Sequence, residues 1–157
     1  MAIWFYSKSP EYGWLSNFFE YPFVLDSVRW PSVEHYYQAQ KYTGTESAER
    51  IRRADSPQKA RKAGQDRSLS PRADWDAIKE EVMRRAIRAK FEQHRKLSEL
   101  LQATEDEELI HESSRDPFWG RSREGVGENR LGVILMAVRQ ELWGQAEPSP
   151  SLDRPRD

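Results

Sequence analysis

The sequence predicts an α+β domain, predominantly α-helical with a small β component. Three observations predict it. Apolar residues recur at helical spacing between recognisable start and stop residues over much of the chain. β-type patterning is confined to a few short segments near the N-terminus and one late segment. The length, 157 residues, suits one ordinary domain, and there is no internal repeat or linker.

Ile3 to Tyr6 is rich in β-formers and reads as a strand. Ser7 to Asn17 is loop, punctuated by Ser-Pro and Gly13. Phe23-Val24-Leu25 and Val28-Arg29-Trp30 flank Asp26-Ser27 and predict a hairpin. Ser32 can cap a helix that Gly44 ends. Thr45 caps a second helix, running to about Ala54. Ser56-Pro57 starts a third, because proline at the first helical position lacks only a donor that would go unused; it stops near Gly64. Asp74 or Asp76 opens the longest helix, to about Gln93, with Ile78, Val82, Ala86, Ala89 and Phe91 near a 3.6 period. Leu97, Leu100 and Leu101 mark a short helix, and Glu108 to Glu112 alternates weakly as a strand. Ser113 to Glu128 is an irregular loop. Asn129 caps a last helix carrying Leu131, Ile134, Leu135, Val138 and Leu142, and Gly144 ends it. Residues 1–144 form the domain; 145–157, rich in Pro, Ser and charge, read as a disordered tail.

Composition narrows the function. Hydrophobic residues make up 37% and charged residues 32%, a polar but foldable balance. The formal net charge is −1, so no global field draws the chain to nucleic acid or membrane. No cysteine is present, which excludes disulfides, thiolate metal sites and a Cys nucleophile. His35, His94 and His111 show no HxH or HExxH spacing, and the glycines match no phosphate loop; no metal and no cofactor is expected. The N-terminus lacks the pattern of a secretion signal, and no apolar run approaches a membrane span, which fits a cytoplasmic protein. Of the 18 aromatic residues, 13 lie in the first 42 positions. That concentration suits either a Trp-rich core layer or an aromatic-walled pocket.

Three segments could carry chemistry. In Val33-Glu34-His35-Tyr36-Tyr37-Gln38-Ala39-Gln40-Lys41, Glu34, Gln38 and Lys41 share one helix face, with Tyr37 beside them. That face is either a solvated surface with Glu34 favoured by the helix dipole, or a catalytic wall. In Asp116-Pro117-Phe118-Trp119-Gly120, proline holds Asp116 extended and glycine admits close approach of a ligand. Trp119 there is either a core plug or part of a site. Leu15-Ser16-Asn17-Phe18 offers polar groups to phosphate or ribose, or simply turn chemistry. Trp75 is a core anchor or a stacking wall. A basic stretch, Arg50 to Lys62, is mostly ordinary helix surface with a few residues able to guide a phosphate.

Taken in order, Phe5-Tyr6, Leu15 to Phe18, Val33 to Lys41, Asp116-Pro117 with Trp119-Gly120, and Asn129-Arg130-Leu131-Gly132 with Leu135-Met136 and Val138-Arg139 resemble the NADAR, or YbiA-like, family over residues 3 to 144. The resemblance implies a compact, mostly helical single-domain fold. It implies N-glycosidase activity on ribosylamino-pyrimidine 5′-phosphates of early riboflavin biosynthesis, releasing ribose 5-phosphate. Other members remove ADP-ribose from guanine bases, which makes ADP-ribosylated nucleic acid the alternative substrate. A non-catalytic ADP-ribose-binding module is a third reading. By similarity the catalytic positions fall on Glu34, Trp75 and Asp116, with Lys41 at the basic end of the helix motif. Substrate-binding positions are expected at Tyr6, Ser16, Asn17, Phe18, His35, Gln38, Trp119, Gly120 and Asn129. Glu34 and Asp116 could act as paired carboxylates on an oxocarbenium-like transition state. Lys41 could instead form a Schiff base with a ring-opened sugar.

Overall fold

Asp26 and Ser27 both adopt positive φ (55° and 63°), as a two-residue hairpin turn requires. They join β2 (Phe23–Leu25) to β3 (Val28–Trp30) with Phe23 opposite Trp30. The turn is tied down at its acid. Tyr36 Oη donates to Asp26 Oδ2 at 2.9 Å and Arg85 Nη2 to Asp26 Oδ1 at 2.8 Å. The Arg85 hydrogen bond holds the Asp26 carboxyl below its usual range. The outer edge of β2 is closed by Gln93, whose amide exchanges two hydrogen bonds with the Val24 backbone (2.8 and 2.7 Å) as another strand would.

The computed structural model describes residues 1–144, so the tail expected at 145–157 lies outside the described residues. The other strands, β1 (Ala2–Phe5) and β4 (Glu108–His111), pair in parallel across most of the chain. A single 3-10 turn, Gly13–Leu15, interrupts the first loop.

Among the described residues, six α-helices complete the fold: α1 (Val33–Gln40), α2 (Glu46–Arg52), α3 (Pro57–Gly64), α4 (Trp75–Gln93), α5 (Arg95–Ala103) and α6 (Arg130–Trp143). Ser32, Thr45 and Ser56 each cap their helix by accepting the backbone N–H three residues on. α1 packs against α2, α3 and α4, and α6 packs against α4 and β4. Leu131, Ile134, Leu135 and Val138 of α6 are buried as the spacing predicts, and Gly132 lets α6 lie on the Leu109 carbonyl. Among the described residues, no helix is long and apolar enough to cross a membrane.

Two local expectations are corrected. α1 ends at Gln40, not Gly44; Gly44, at φ 82°, closes the turn that follows. Asn129 stands at the start of α6 in a left-handed conformation, but its side chain makes no cap hydrogen bond. Asp74 opens α4 as expected, with its carboxylate paired to Arg72 (2.6 Å), and Gly144 ends α6 as expected. A larger correction concerns α1. Every residue from Val33 to Ala39 is buried, Glu34 and Gln38 included, so its polar face is no solvated surface.

Candidate active site

Helix α1 is central, with neighbours on several sides, so its polar face meets other elements instead of water. That face opens onto a semi-enclosed cavity of about 300 Å³. The Ser16–Phe18 loop, the end of α3, α4 and the end of β4 with the Asp116–Trp119 loop supply the other walls.

Glu34 lies in that wall with only 6% of its surface exposed. Its Oε1 accepts a hydrogen bond from Gln38 Nε2 at 2.9 Å, the i,i+4 partner. Its backbone N–H donates to the Asn17 carbonyl (3.3 Å), which ties the start of α1 to the loop opposite. Burial pushes the Glu34 carboxyl above the usual carboxylate range. The Gln38 bond and the charges of Arg61 and Lys41 oppose that rise, and Asp116 adds to it. Lys41, half-buried at the end of the same face, is held below the usual lysine range by burial, although Glu34 pulls it back. Tyr37 completes the wall, with its phenol raised mainly by burial.

Gln38 is held in place by shape. Gly64 of α3 presses against its amide so closely that a Cβ at position 64 would overlap Gln38 Oε1. That oxygen is buried with no hydrogen-bond partner among the described residues. An acceptor left in this state beside a cavity is suited to a donor on a ligand.

Asp116 has two tasks. Its Oδ1 accepts from the backbone N–H groups of Phe118 (3.1 Å) and Trp119 (2.9 Å), which shapes the loop, while the residue also lines the cavity. The loop presents Trp119 edge-on to Tyr37, ring centroids 5.6 Å apart. Ser16, Asn17, Phe18 and, at the rim, Tyr6 line the same space. Ser16 and Asn17 also serve the loop: Phe18 N–H donates to Ser16 Oγ (3.1 Å), and Asn17 Nδ2 approaches Met83 Sδ (3.4 Å).

Four expected positions lie elsewhere. His35 is fully buried one position round the helix from Glu34; its ring nitrogens are engaged by Ser32 Oγ (2.7 Å) and the Ala54 carbonyl (2.9 Å). Trp75 stands behind the cavity wall, its ring 5.1 Å from that of Tyr37. Gly120 is glycine for packing: a Cβ there would come within 2.7 Å of Ser113 Cβ and 2.9 Å of the His111 carbonyl. Asn129 clamps β4, accepting from His111 N–H and donating to the Leu109 carbonyl, both at 2.9 Å. Its backbone is left-handed, with φ 52°.

Sequence reasoning did not single out Gln65, Met83, His111, Glu112, Ser113 or Leu131, which also line the cavity, and it named Arg61 only within a basic stretch. The Arg61 guanidinium lies 5.9 Å from the centroid of the Phe18 ring. The available signal for α3 was Gly64, a small residue where two helices must approach closely. No spacing pattern marks His111, because the end of β4 reaches the site through its pairing with β1 and its contacts with α6, which are distant in sequence.

The model of the NADAR domain matches residues 4–143. The chain belongs to the NADAR family. This NADAR chain is 47% identical over 138 residues to the N-glycosidase YbiA of Escherichia coli, covering 88% of this chain and 86% of that one. The NMR structure of the E. coli protein YbiA superposes with a TM-score of 0.84 at 43% identity, covering 99% of this chain and 89% of that one. A riboflavin biosynthesis protein of Vibrio vulnificus, VVA0006, is 41% identical over 144 residues. That match takes in 92% of this chain but 39% of the longer protein.

Proposed function

We propose that this protein is an N-glycosidase that hydrolyses the bond between C1′ of a 5-phosphorylated ribose and the amino nitrogen of a pyrimidine. Its substrates are then the ribosylamino-pyrimidine 5′-phosphates of riboflavin biosynthesis, and its products ribose 5-phosphate and the free aminopyrimidine. The observation that carries the proposal is Glu34: a buried carboxyl of raised proton affinity facing a cavity, beside Lys41 and in reach of the fields of Arg61 and Asp116. The names of the relatives support both the bond and the pathway.

Cleavage leaves electrons on the departing nitrogen and positive charge on the sugar. In this reading a protonated Glu34 donates to the nitrogen, and the Asp116 carboxylate stabilises the sugar cation. Trp119 and Tyr37 offer aromatic surface to the heterocycle. Arg61 presents a planar fork of donors suited to phosphate oxygens. A cavity of about 300 Å³ is at the small end for ligand sites, which favours a mononucleotide over ADP-ribosylated guanine.

The test supplies purified protein with a ribosylamino-pyrimidine 5′-phosphate and, separately, with ADP-ribosylated guanine DNA. Mass spectrometry should detect ribose 5-phosphate from the first. Release of ADP-ribose from the second alone would overturn the substrate assignment. The lowered proton affinity of Lys41 favours a covalent variant of the same reaction, in which borohydride traps an adduct that Lys41→Ala loses. Failure to trap one during turnover removes that variant.

The Gly64 contact gives a second expectation. Gly64→Ala should drive Gln38 from Glu34 and lower kcat/KM by about tenfold, the value of one modest hydrogen bond. Overpacking should also cost about 1–3 kcal/mol of stability. Steady-state kinetics and thermal melting check both. Wild-type kinetics in the alanine variant would show that Gln38 does not prepare Glu34.

A further inference from the structure

We propose that His111 is the base that takes a proton from the attacking water, through its Nε2 atom on the cavity side. This role rests on the N-glycosidase reading, which assigns Glu34 to the leaving nitrogen and leaves the water without a base.

The placement is the first support. His111 ends β4 and lines the cavity that Glu34, Lys41 and Asp116 share. Its backbone is fixed on both sides: its N–H donates to Asn129 Oδ1 (2.9 Å), and its carbonyl accepts from Arg121 N–H (2.9 Å). Its ring packs at 5.4 Å on the ring of Phe5. A base held on paired strands is positioned more rigidly than one on a loop.

The two ring nitrogens differ. Nδ1 is buried with no hydrogen-bond partner among the described residues. Nε2 makes no hydrogen bond among the described residues and is not one of the buried orphans, so it is the ring nitrogen left open to a ligand or water on a residue that lines the cavity.

Charged groups reach the ring from several elements. Asp116 of the following loop favours the imidazolium, and Arg61 of α3 opposes it. Glu112, next along the chain, is paired with Arg123 (3.1 Å). The β1 side contributes Phe5 and the Tyr6 phenol, and the α6 side Asn129 and Leu131, all uncharged. Burial is the largest influence and lowers the affinity of the ring for a proton, which keeps it neutral and basic near pH 7.

The step balances. Water oxygen bonds to C1′ as the C1′–N bond breaks; its proton passes to His111 Nε2, and the Glu34 carboxyl proton passes to the departing amine. His111 then returns its proton to Glu34 through solvent, and the enzyme is restored.

The experiment compares wild type, His111→Gln and Glu34→Gln on a ribosylamino-pyrimidine 5′-phosphate from pH 4.5 to 8.5. ¹⁵N NMR of the wild-type imidazoles at pH 7 runs beside it. His111→Gln should lower kcat by about a hundredfold or more with KM within about threefold, the pattern of a lost general base. It should also lose the acid limb of the kcat profile. His111→Ala should recover turnover when imidazole is added. A folded His111→Gln that keeps kcat and the acid limb, while Glu34→Gln is inactive, overturns the role of His111 alone. If glutamine unfolds the protein, the NMR decides: a proton on Nε2 at pH 7 overturns the proposal. Absence of turnover in wild type overturns the N-glycosidase reading, and this role with it.

Discussion

Glu34→Gln should lower kcat by roughly a hundred- to ten-thousand-fold, the cost of losing a general acid, and should raise the melting temperature at pH 7 and above. The two effects have one cause. Burial lifts the Glu34 carboxyl above its value in an unfolded chain, so on raising the pH the unfolded state gives up its proton first. The contribution of Glu34 to stability is therefore full below the unfolded value, near 4.3 for a free glutamate, and declines as pH rises through the folded one. Glutamine keeps the volume and an acceptor for Gln38 Nε2, without the buried charge. Melting curves of the two proteins should converge near pH 4 and separate towards pH 8, with the variant higher. Identical turnover in the variant would remove the catalytic assignment. An equal or lower melting temperature at pH 8 would show instead that the cavity solvates the carboxylate well. A site group that costs stability and supports rate is the expected trade at a catalytic position.

The elements of the fold were legible because each rests on local chemistry. Ser32, Thr45 and Ser56 cap where a hydroxyl precedes a helical run, and Asp26-Ser27 turns between two short β-forming runs. What local chemistry could not show is which elements meet. The spacing of Glu34, Gln38 and Lys41 defined a shared face, but a polar helix face is usually wet, and only the packing of α3, α4 and the Ser16–Phe18 loop around α1 makes this one a cavity wall. The same limit explains His35 and Asn129. Both are polar residues in segments that resemble a functional motif, and both spend their side-chain hydrogen bonds inside the fold: His35 on Ser32 and Ala54, Asn129 on β4. Motif membership marks residues that must be there, without separating those that touch a ligand from those that hold the ones that do. His111 reaches the cavity through the pairing of β1 with β4 and the packing of α6 on that strand, contacts between distant segments that no local pattern encodes.

Lys90→Met should abolish a rise in stability that the wild-type protein shows between about pH 7.5 and 9.5, amounting to about 2–3 kcal/mol. Lys90 sits on α4 with 1% of its surface exposed. Its Nζ donates to the carbonyls of Trp14 (2.7 Å) and Ser16 (3.0 Å), and burial pulls its proton affinity down to about 7. An unfolded lysine titrates near 10.4. Between those values the unfolded chain binds the extra proton, so stability increases with pH, at most by about 1.4 kcal/mol per unit. The count of donors supports the direction: a neutral amine has two N–H groups for two carbonyls, whereas the ammonium carries a third with no partner among them. Methionine fills similar volume and cannot titrate, so its stability curve should stay flat where the wild-type curve climbs. It also strands the Trp14 carbonyl, at about 1–3 kcal/mol, while the Ser16 carbonyl keeps the Phe19 N–H (3.2 Å), so the variant should be the less stable protein at pH 9. Urea melts at half-unit pH steps make the comparison, and parallel curves would show that Lys90 stays charged throughout. The two carbonyls belong to the loop that carries Ser16, Asn17 and Phe18 into the cavity. A lysine that costs stability near neutrality is thus the brace by which α4 holds the wall facing Glu34.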